Sequence, residues 1–401
     1  MTDRKTTAAV ATLVLVVLVA LALRPPFTAI APLLDRIQQD LGLSTTFGGM
    51  LTTLPVVCLG VFAFLAPKLR QRVGDEKVVV GCLIVLLTGN LLRAAGPVWA
   101  LVGGTVVVGA GIAVANVALP GLIKRDFPSQ VPMITAIYTV CLTLGGAVAA
   151  SVVVPLGQAL GSAWQLPLGA LALPVLVALL ISAFALRHAS AARPEPISPG
   201  GLWRAPLAWQ VTVFMGLQSM LAYVVFGWLP TIAQSRGMSP GLAGLLLGIQ
   251  AAIQAAGSMT VPVLCRRLRD QRLIACGLAV LIATGFVVIV LGPAPAGIWI
   301  GTVVLGLAQG AAFGLALTLI GLRSPDSDTT AALSGMAQGT GYLIAGTGPL
   351  AVGLLHDLAG NWLAPLGLVL VVCAVLFCMG LLAGRRLQVE SVVRAELTTV
   401  P

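Results

Sequence analysis

The sequence predicts an all-α membrane protein with twelve transmembrane helices in two pseudo-symmetric six-helix halves. Three observations carry this prediction: the composition is too apolar for a soluble domain, apolar runs of spanning length recur along the chain, and the second half repeats features of the first. Of 401 residues, 58% are hydrophobic and 9% are charged, and the mean hydropathy is +1.03. Because soluble domains contain about 25% charged residues, these apolar runs must face lipid.

Twelve stretches are long enough to cross a bilayer, since a spanning helix needs about 20 apolar residues. Spans 1 to 12 are predicted in chain order at 8–34, 45–66, 78–95, 97–122, 132–156, 164–186, 207–233, 240–264, 273–292, 297–322, 332–355 and 363–384. The even number of spans puts both termini on the same side of the membrane.

The distribution of positive charge indicates which side that is, because Lys and Arg are retained in cytoplasmic loops. Of the 23 Lys and Arg residues, Arg24 and Arg93 lie within spans, and the loops facing away from the termini hold Arg36 and Arg236 only. All others lie in the tails or in loops on the same side as the tails. We therefore expect cytoplasmic termini. The net charge of +10 then reflects topology, and no nucleic-acid partner is inferred.

The second half of the chain repeats features of the first. Five positions recur 195 residues later with the same kind of side chain: Pro67, Leu69, Arg72, Asp75 and Lys77 match Pro262, Leu264, Arg267, Asp270 and Arg272. GTVVVG from Gly104 likewise matches GTVVLG from Gly301. We expect two six-helix halves, residues 1–186 and 207–401, joined by a cytoplasmic linker at 187–206.

Two parallel halves with a basic loop between the second and third spans resemble the major facilitator superfamily. The loop KLRQRVGDEK is similar to the loop signature of that family, but Gln71 stands where an aspartate is usual. Because of this difference, the ion pair that the loop makes in other members of the family is not expected from the resemblance.

A closer resemblance extends along the whole chain. The segments LRPPFTAIAPLLDRI, LTTLP, ANVALPGLIKRDFP, WRAPLAWQ, GWLPTI and LSGMAQGTGYLIAGTGP resemble the cyanate and 2-nitroimidazole permease branch of that superfamily. The resemblance implies a secondary transporter in the bacterial inner membrane that moves a small anionic or weakly acidic solute by alternating access. It places the substrate pocket between the two halves and leaves the solute open. We expect a monomer in the lipid bilayer.

Span 1 contains the most unusual feature of the sequence, Arg24 followed by Pro25 and Pro26. Arg24 lies about 16 Å along the helix from Asp35, at membrane depth. Each acidic residue falls in a tail, a loop or the end of a span, so no carboxylate is expected beside Arg24, and the substrate is its expected counter-ion. The prolines lack amide donors and should break the helix, with Arg24 displaced from helical geometry. A purely structural role, in which Arg24 caps the freed carbonyls, stays open.

Other polar residues in the spans extend this candidate site. Thr28 shares a face with Arg24, and Asn116 lies in span 4. In the second half, the candidates are Gln218, Tyr223, Gln250, Gln254, Gln309, Gln338 and Tyr342. Each glutamine alone is as well explained by contacts between helices, but as a set we expect about half to line the cavity. Asn90 and Arg93 in span 3 are expected to serve packing and the outer interface.

The repeat places Ala222 opposite Arg24, so the charge belongs to one half only. This asymmetry favours a binding role over a structural one. Spans 9 and 12 contain no Asn, Gln or charged residue, as is typical of the lipid-facing positions of the superfamily.

Other classes of function find little support. The Gly-rich runs lie in spans and no GxxxxGK[ST] motif is present, so neither a nucleotide nor another cofactor is expected. The seven cysteines fall in or beside apolar spans without a CxxC pair, and no metal site is expected. No catalytic constellation suggests an enzyme. The alternative to an anion carrier is an exporter of 2-nitroimidazole-like or other small drugs, in which Tyr223, Trp228 and Tyr342 matter more than charge.

Overall fold

The computed structural model describes residues 2–43, 45–161, 164–186, 201–268 and 270–390, and these residues form α-helices and no β-strand. Ten helices precede the linker: α1 Thr2–Leu23, α2 Pro25–Thr28, α3 Ile30–Leu41, α4 Thr45–Ala63, α5 Ala66–Val73, α6 Asp75–Arg93, α7 Val98–Asp126, α8 Val131–Ala159, α9 Gln165–Ala170 and α10 Ala172–Leu186. After a short 3-10 helix at Leu202–Arg204 come α11 Pro206–Ser235, α12 Pro240–Ser258, α13 Thr260–Arg267, α14 Arg272–Leu291, α15 Ala296–Leu322, α16 Ser327–Ala359 and α17 Leu363–Ala383.

Each predicted span corresponds to one helix or to consecutive helices. Span 1 comprises α1 to α3, span 2 α4 and α5, span 6 α9 and α10, and span 8 α12 and α13; the others are single helices. Among the described residues, ten helices are long and apolar enough to cross a membrane, or eleven if the pair α4 and α5 is one span. The remaining span, α6, has 19 residues but carries Asp75, Glu76 and Lys77 in its first turn and Arg93 at its end, so its apolar stretch is shorter.

The helices pair in the same way in both halves. Span 4 packs against spans 2, 3 and 11, and span 10 packs against spans 8, 9 and 5, which is the same relation six spans further along the chain. Spans 4 and 10 are the most deeply buried. Large exposed apolar side chains such as Leu173, Leu180 and Val371 lie on spans 6 and 12, where they are available to lipid.

The two GTVV segments make equivalent close crossings. A Cβ added to Gly104 would lie 2.8 Å from the carbonyl oxygen of Gly89, and one added to Gly301 would lie 2.7 Å from that of Gly285. Spans 3 and 4, and likewise spans 9 and 10, therefore approach so closely that only glycine fits at the crossing. This explains in physical terms why the sequence repeats at these positions.

The linker is described from residue 201 only, and residues 187–200 lie outside the described part of the chain. Trp203, in the 3-10 helix, contacts Trp209 with 5.7 Å between ring centroids and Phe64 with 6.1 Å. Phe64 lies where span 2 bends by 52° between α4 and α5. The entry into the second half therefore packs against the bend of a span from the first.

Candidate functional site

Span 1 is broken at Arg24, as its two prolines predict. Helix α1 ends at Leu23, and the four-residue helix α2 begins at Pro25. The carbonyl of Arg24 accepts hydrogen bonds from the amides of Phe27 and Thr28 at 3.0 and 3.1 Å. The expectation that Arg24 itself leaves helical geometry is wrong, since its φ of −85° and ψ of −35° are right-handed helical. The missing amide donors of the prolines therefore produce the break, while the backbone of the preceding residue stays helical.

A glycine pair in span 5 makes room for this break. A Cβ on Gly145 would lie 2.5 Å from the carbonyl oxygen of Leu21, and one on Gly146 would lie 2.6 Å from Cγ of Arg24. Both distances are well below contact, so any larger residue would displace the chain around Arg24. Span 5 thus sets the direction in which the arginine side chain extends.

Arg24 borders a small cavity between spans 1 and 5 of the first half and spans 7, 8, 10 and 11 of the second. The space that the centre of a water molecule can occupy is about 30 Å³, enough for about two waters or a solute of a few heavy atoms. The cavity is lined by Arg24, Leu142, Thr143, Gln218, Ser219, Ala222, Tyr223, Phe226, Gln254, Gln309, Phe313 and Tyr342.

The guanidinium of Arg24 has no carboxylate partner among the described side chains. None of the ion pairs in that part of the chain involves it. Its central carbon lies 5.5 Å from the ring centroid of Phe27, a cation–π contact. Such a contact stabilises a desolvated cation by about 2 kcal/mol, which does not replace a counter-ion.

Tyrosines concentrate around this charge. The chain has three of them, and Tyr138, Tyr223 and Tyr342 all lie close enough to Arg24 to interact with its charge. The hydroxyl of Tyr138 donates to Oδ1 of Asn116 at 2.7 Å, whereas Tyr223 and Tyr342 line the cavity. Two phenol groups and a guanidinium therefore border the same small space.

An amide cluster forms the wall contributed by spans 8 and 10. Oε1 of Gln309 accepts hydrogen bonds from Gln250 at 2.9 Å and from Gln254 at 3.4 Å, and its Nε2 donates to the carbonyl of Leu221 at 3.1 Å. Gln218, in span 7, donates to the hydroxyl of Ser219 at 2.7 Å. These contacts hold the amides of Gln254 and Gln309 in fixed orientations at the cavity surface.

Six of the ten predicted site residues line the cavity, namely Arg24, Gln218, Tyr223, Gln254, Gln309 and Tyr342. Ala222, which the repeat placed opposite Arg24, lines it as well. The other four lie behind its wall. Thr28 donates to the carbonyl of Gly146 at 2.8 Å, and Gln250 supports Gln309.

Asn116 and Gln338 join the two halves outside the cavity. Nε2 of Gln338 donates to the backbone carbonyl of Asn116 at 2.9 Å and to the hydroxyl of Ser334 at 2.8 Å. Gln338 lies one helical turn from Tyr342 in span 11. The pair therefore links span 4 to span 11 directly beside the cavity.

Sequence reasoning missed Leu142, Thr143, Ser219, Phe226 and Phe313 as cavity residues. Residues of these types occur along most spans, so their identity alone does not separate a cavity wall from an ordinary helix contact. A periodicity signal was available for two of them. Ser219 and Phe226 share the face of span 7 that carries Ala222 and Tyr223.

The basic loop between spans 2 and 3 closes one end of the bundle with an ion-pair cluster. Arg70 pairs with Asp75 in the same loop and, at 3.3 Å, with Asp328 at the start of span 11. Arg125 pairs with Glu76 and Asp126, both at 2.7 Å. Although Gln71 replaces the usual aspartate of the loop, Arg70 makes an ion pair across the halves, and Asp75 supplies the carboxylate beside it.

Comparison with known proteins agrees with this architecture. The family model described as Major Facilitator Superfamily matches residues 13–349. The chain is 40% identical over 381 residues to the 2-nitroimidazole transporter of Escherichia coli (strain K12), covering 94% of this chain and 95% of that protein. It is 30% identical over 354 residues to the cyanate transport protein CynX of the same organism, covering 88% and 91%. The crystal structure of the transporter FucP in the outward conformation superimposes with a TM-score of 0.76 at 15% identity, covering 94% and 98%.

Proposed function

The chain belongs to the major facilitator superfamily and is a multi-pass membrane transporter of small molecules, not an enzyme, and from this premise we propose that its substrate is a small, cyanate-like anion or weak acid. In this proposal the protein is a secondary active or facilitated carrier in a bacterial inner membrane, with both termini cytoplasmic and residues 1–186 and 207–401 as its two halves. Arg24 is the anion anchor.

The observation that carries the proposal is the unneutralised guanidinium at the cavity. Placing an arginine at the centre of a bilayer costs about 2.5–3.5 kcal/mol even on a lenient insertion scale. A bound anion would offset that cost, and the hydroxyls of Tyr223 and Tyr342 would supply further hydrogen bonds to it. The small volume of the cavity favours a solute of few atoms.

Alternating access is supported by where the halves touch. Arg70 pairs with Asp328, Gln338 bonds to Asn116, and a Cβ on Gly60 would lie 2.7 Å from Leu343. These contacts follow span 11 from the end of the bundle that carries the Arg70 loop to the level of the cavity residue Tyr342. Breaking them together would open that end, as the mechanism requires.

The alternative is export of 2-nitroimidazole-like compounds, and one observation favours it. The aromatic rings of Tyr223, Phe226, Phe313 and Tyr342 line the cavity and would stack on a planar ring. Trp228, included in this alternative from the sequence, donates to the carbonyl of Pro349 at 2.9 Å and packs against Trp362. It therefore takes part in the structure outside the cavity.

The test is transport in proteoliposomes with cyanate, bicarbonate, nitrate and 2-nitroimidazole, comparing wild type, Arg24→Gln and Arg24→Lys. We expect Arg24→Gln to raise the KM for cyanate by about tenfold or more, the loss of about 1.4 kcal/mol or more of binding. The KM of Arg24→Lys should lie between those of wild type and Arg24→Gln, because lysine keeps the charge but lacks the planar, two-pronged guanidinium. Arg72→Gln, at an exposed arginine outside the cavity, is the matched control.

Two outcomes would contradict the anchor. One is Arg24→Gln transporting cyanate with the wild-type KM. The other is transport of 2-nitroimidazole alone, unaffected by Arg24→Gln but reduced by Tyr342→Leu, which would select the alternative function.

A further inference from the structure

A second arginine, Arg93, is completely buried at the last residue of α6. Its Nη1 donates to the backbone carbonyl of Pro26 at 2.7 Å. Its Nε and Nη2 atoms, which form the other edge of the guanidinium, are buried without an acceptor among the described residues. From the sequence we expect Arg93 to serve packing and the outer interface; its side chain is buried at the last residue of α6 and points into the break of span 1.

The cost of this arrangement argues against simple packing. A buried cation loses its hydration, and an apolar side chain of similar volume would usually be neutral or stabilising in the same place. Since the bond to Pro26 is the one hydrogen bond that the guanidinium makes within the described chain, the stability of the buried charge depends on that carbonyl. The position of the carbonyl depends equally on the arginine.

The Pro26 carbonyl belongs to the segment that carries Arg24. Helix α2 is a single turn, too short to fix its own orientation through internal hydrogen bonds. It is held from outside on two sides. Thr28 donates to Gly146 of span 5, and Arg93 of span 3 binds Pro26.

Room for Arg93 is provided by span 4. A Cβ on Gly104 would lie 2.6 Å from Cγ of Arg93. The close crossing of spans 3 and 4 thus brings this guanidinium to the break.

We propose that Arg93 is a positioning residue for the anion site: by binding the Pro26 carbonyl it fixes the one-turn helix α2 and so holds Arg24 at the cavity. Arg93 does not contact the substrate. The inference rests on the proposed role of Arg24 and deepens it, because it assigns the rigidity of the anchor to a residue in another span.

The test measures the charge of the cavity without requiring a known substrate. Ala222→Cys places a thiol in the cavity wall beside Arg24. Its rates of modification by a negatively charged and a positively charged methanethiosulfonate reagent give a ratio that reports the local potential. Wild type without the introduced cysteine is the blank for the seven native cysteines.

The Arg24→Gln variant calibrates the measurement. We expect it to lower the ratio of the rate with the negative reagent to the rate with the positive reagent by about tenfold. A ratio that does not respond to Arg24→Gln contradicts the anchor itself, and it is recognised before any Arg93 variant is compared.

In the Arg93 series, Arg93→Met should lower the ratio towards the Arg24→Gln value, and Arg93→Lys should restore most of it because an ammonium can still donate to the Pro26 carbonyl. Arg93→Leu, which is likewise neutral and lacks a donor, tests the same point if Arg93→Met does not fold. With Arg24→Gln already present, Arg93→Met should cause no further fall.

Two results would overturn the proposal. One is a wild-type ratio in both neutral Arg93 variants. The other is an equal fall with and without Arg24→Gln, which would mean that Arg93 contributes its own charge and does not act through Arg24. Cyanate transport gives a second readout, because a displaced anchor should raise KM more than it lowers kcat.

Discussion

Gly146 is the residue whose replacement tests the position of Arg24 most directly. An alanine Cβ there would lie 2.6 Å from Cγ and 3.3 Å from Cβ of Arg24, so the arginine must move. We expect Gly146→Ala to raise the KM for cyanate by about tenfold, since overpacking typically costs about 1–3 kcal/mol. Gly81→Ala in span 3, where an added Cβ meets nothing within 4 Å, should leave transport unchanged. A wild-type KM in Gly146→Ala would contradict the dependence of binding on the position that span 5 gives to Arg24.

The two cavity tyrosines separate an anion site from an aromatic one. Tyr223→Phe and Tyr342→Phe each remove a hydroxyl and keep the ring. If the substrate is an anion, each variant should raise the KM for that anion by about two- to tenfold, which corresponds to the loss of one hydrogen bond. Tyr138→Phe is the control outside the cavity, because that hydroxyl bonds to Asn116. Unchanged kinetics in both cavity variants, combined with loss of transport in the leucine variants, would favour stacking of an aromatic substrate.

At the scale of single residues, the sequence predicts the charged member of the site better than the polar ones. Arg24 is recognisable because a charge at membrane depth without a nearby carboxylate is rare. Gln250 and Gln254 look equivalent in sequence, yet Gln250 lies behind Gln309 and Gln254 reaches the cavity. Which side of a helix faces a neighbour and which faces a cavity depends on tertiary packing, and helical spacing alone does not encode it.

At the scale of helices, the ion pair between the Arg70 loop and span 11 should control opening at that end. Asp328→Asn removes the charged partner of Arg70 across the halves and leaves the hydrogen bond from Arg70 to the carbonyl of Ser327 at 3.4 Å. We expect it to increase labelling of a cysteine at Ser334, a buried position in span 11, by about fivefold or more, since a partly buried pair contributes about 1 kcal/mol or more. The measurement is the rate of maleimide labelling in membranes.

Asp270→Asn is the matched control for this variant. Asp270 also pairs with an arginine, Arg272, but within its own loop, so its loss should not change labelling at Ser334. Equal labelling in Asp328→Asn and wild type would show that the cluster contributes to folding of the loop without holding the halves together.

The helices also show what the apolar pattern can and cannot predict. The spans can be predicted from the length of the apolar runs, because a helix needs about 20 apolar residues to cross a bilayer. The break at Pro25 and Pro26 follows from proline chemistry. The 52° bend between α4 and α5 is followed by Pro67 in the first turn of α5, whose missing amide leaves the carbonyl of Ala63 without its helical donor. Phe64, at the bend, packs against Gly339 and Trp203. The position of this bend can therefore also be predicted from proline chemistry, whereas the residues that pack against Phe64 come from distant parts of the chain and are not encoded locally.

The distribution of charge over the whole molecule predicts the electrical behaviour of transport. No carboxylate from the described residues lines the cavity with Arg24, so the protein has no evident group there that could carry a proton with the anion. Net movement of a monovalent anion then transfers one charge across the membrane. A membrane potential of 100 mV changes the free energy of that transfer by about 2.3 kcal/mol, which corresponds to about a 50-fold change in the concentration ratio of the anion at equilibrium. One-for-one exchange of the same anion transfers no net charge.

These two modes can be separated in one preparation. Proteoliposomes with valinomycin and opposite potassium gradients give inside-positive and inside-negative potentials. We expect inside-positive vesicles to accumulate cyanate and inside-negative vesicles to exclude it, while exchange against internal cyanate proceeds equally in both. Protein-free liposomes measure permeation of the neutral acid. Net uptake that ignores the potential but follows an imposed pH gradient would mean that a proton accompanies the anion, either on the substrate as its neutral acid or on an ionisable group other than a cavity carboxylate.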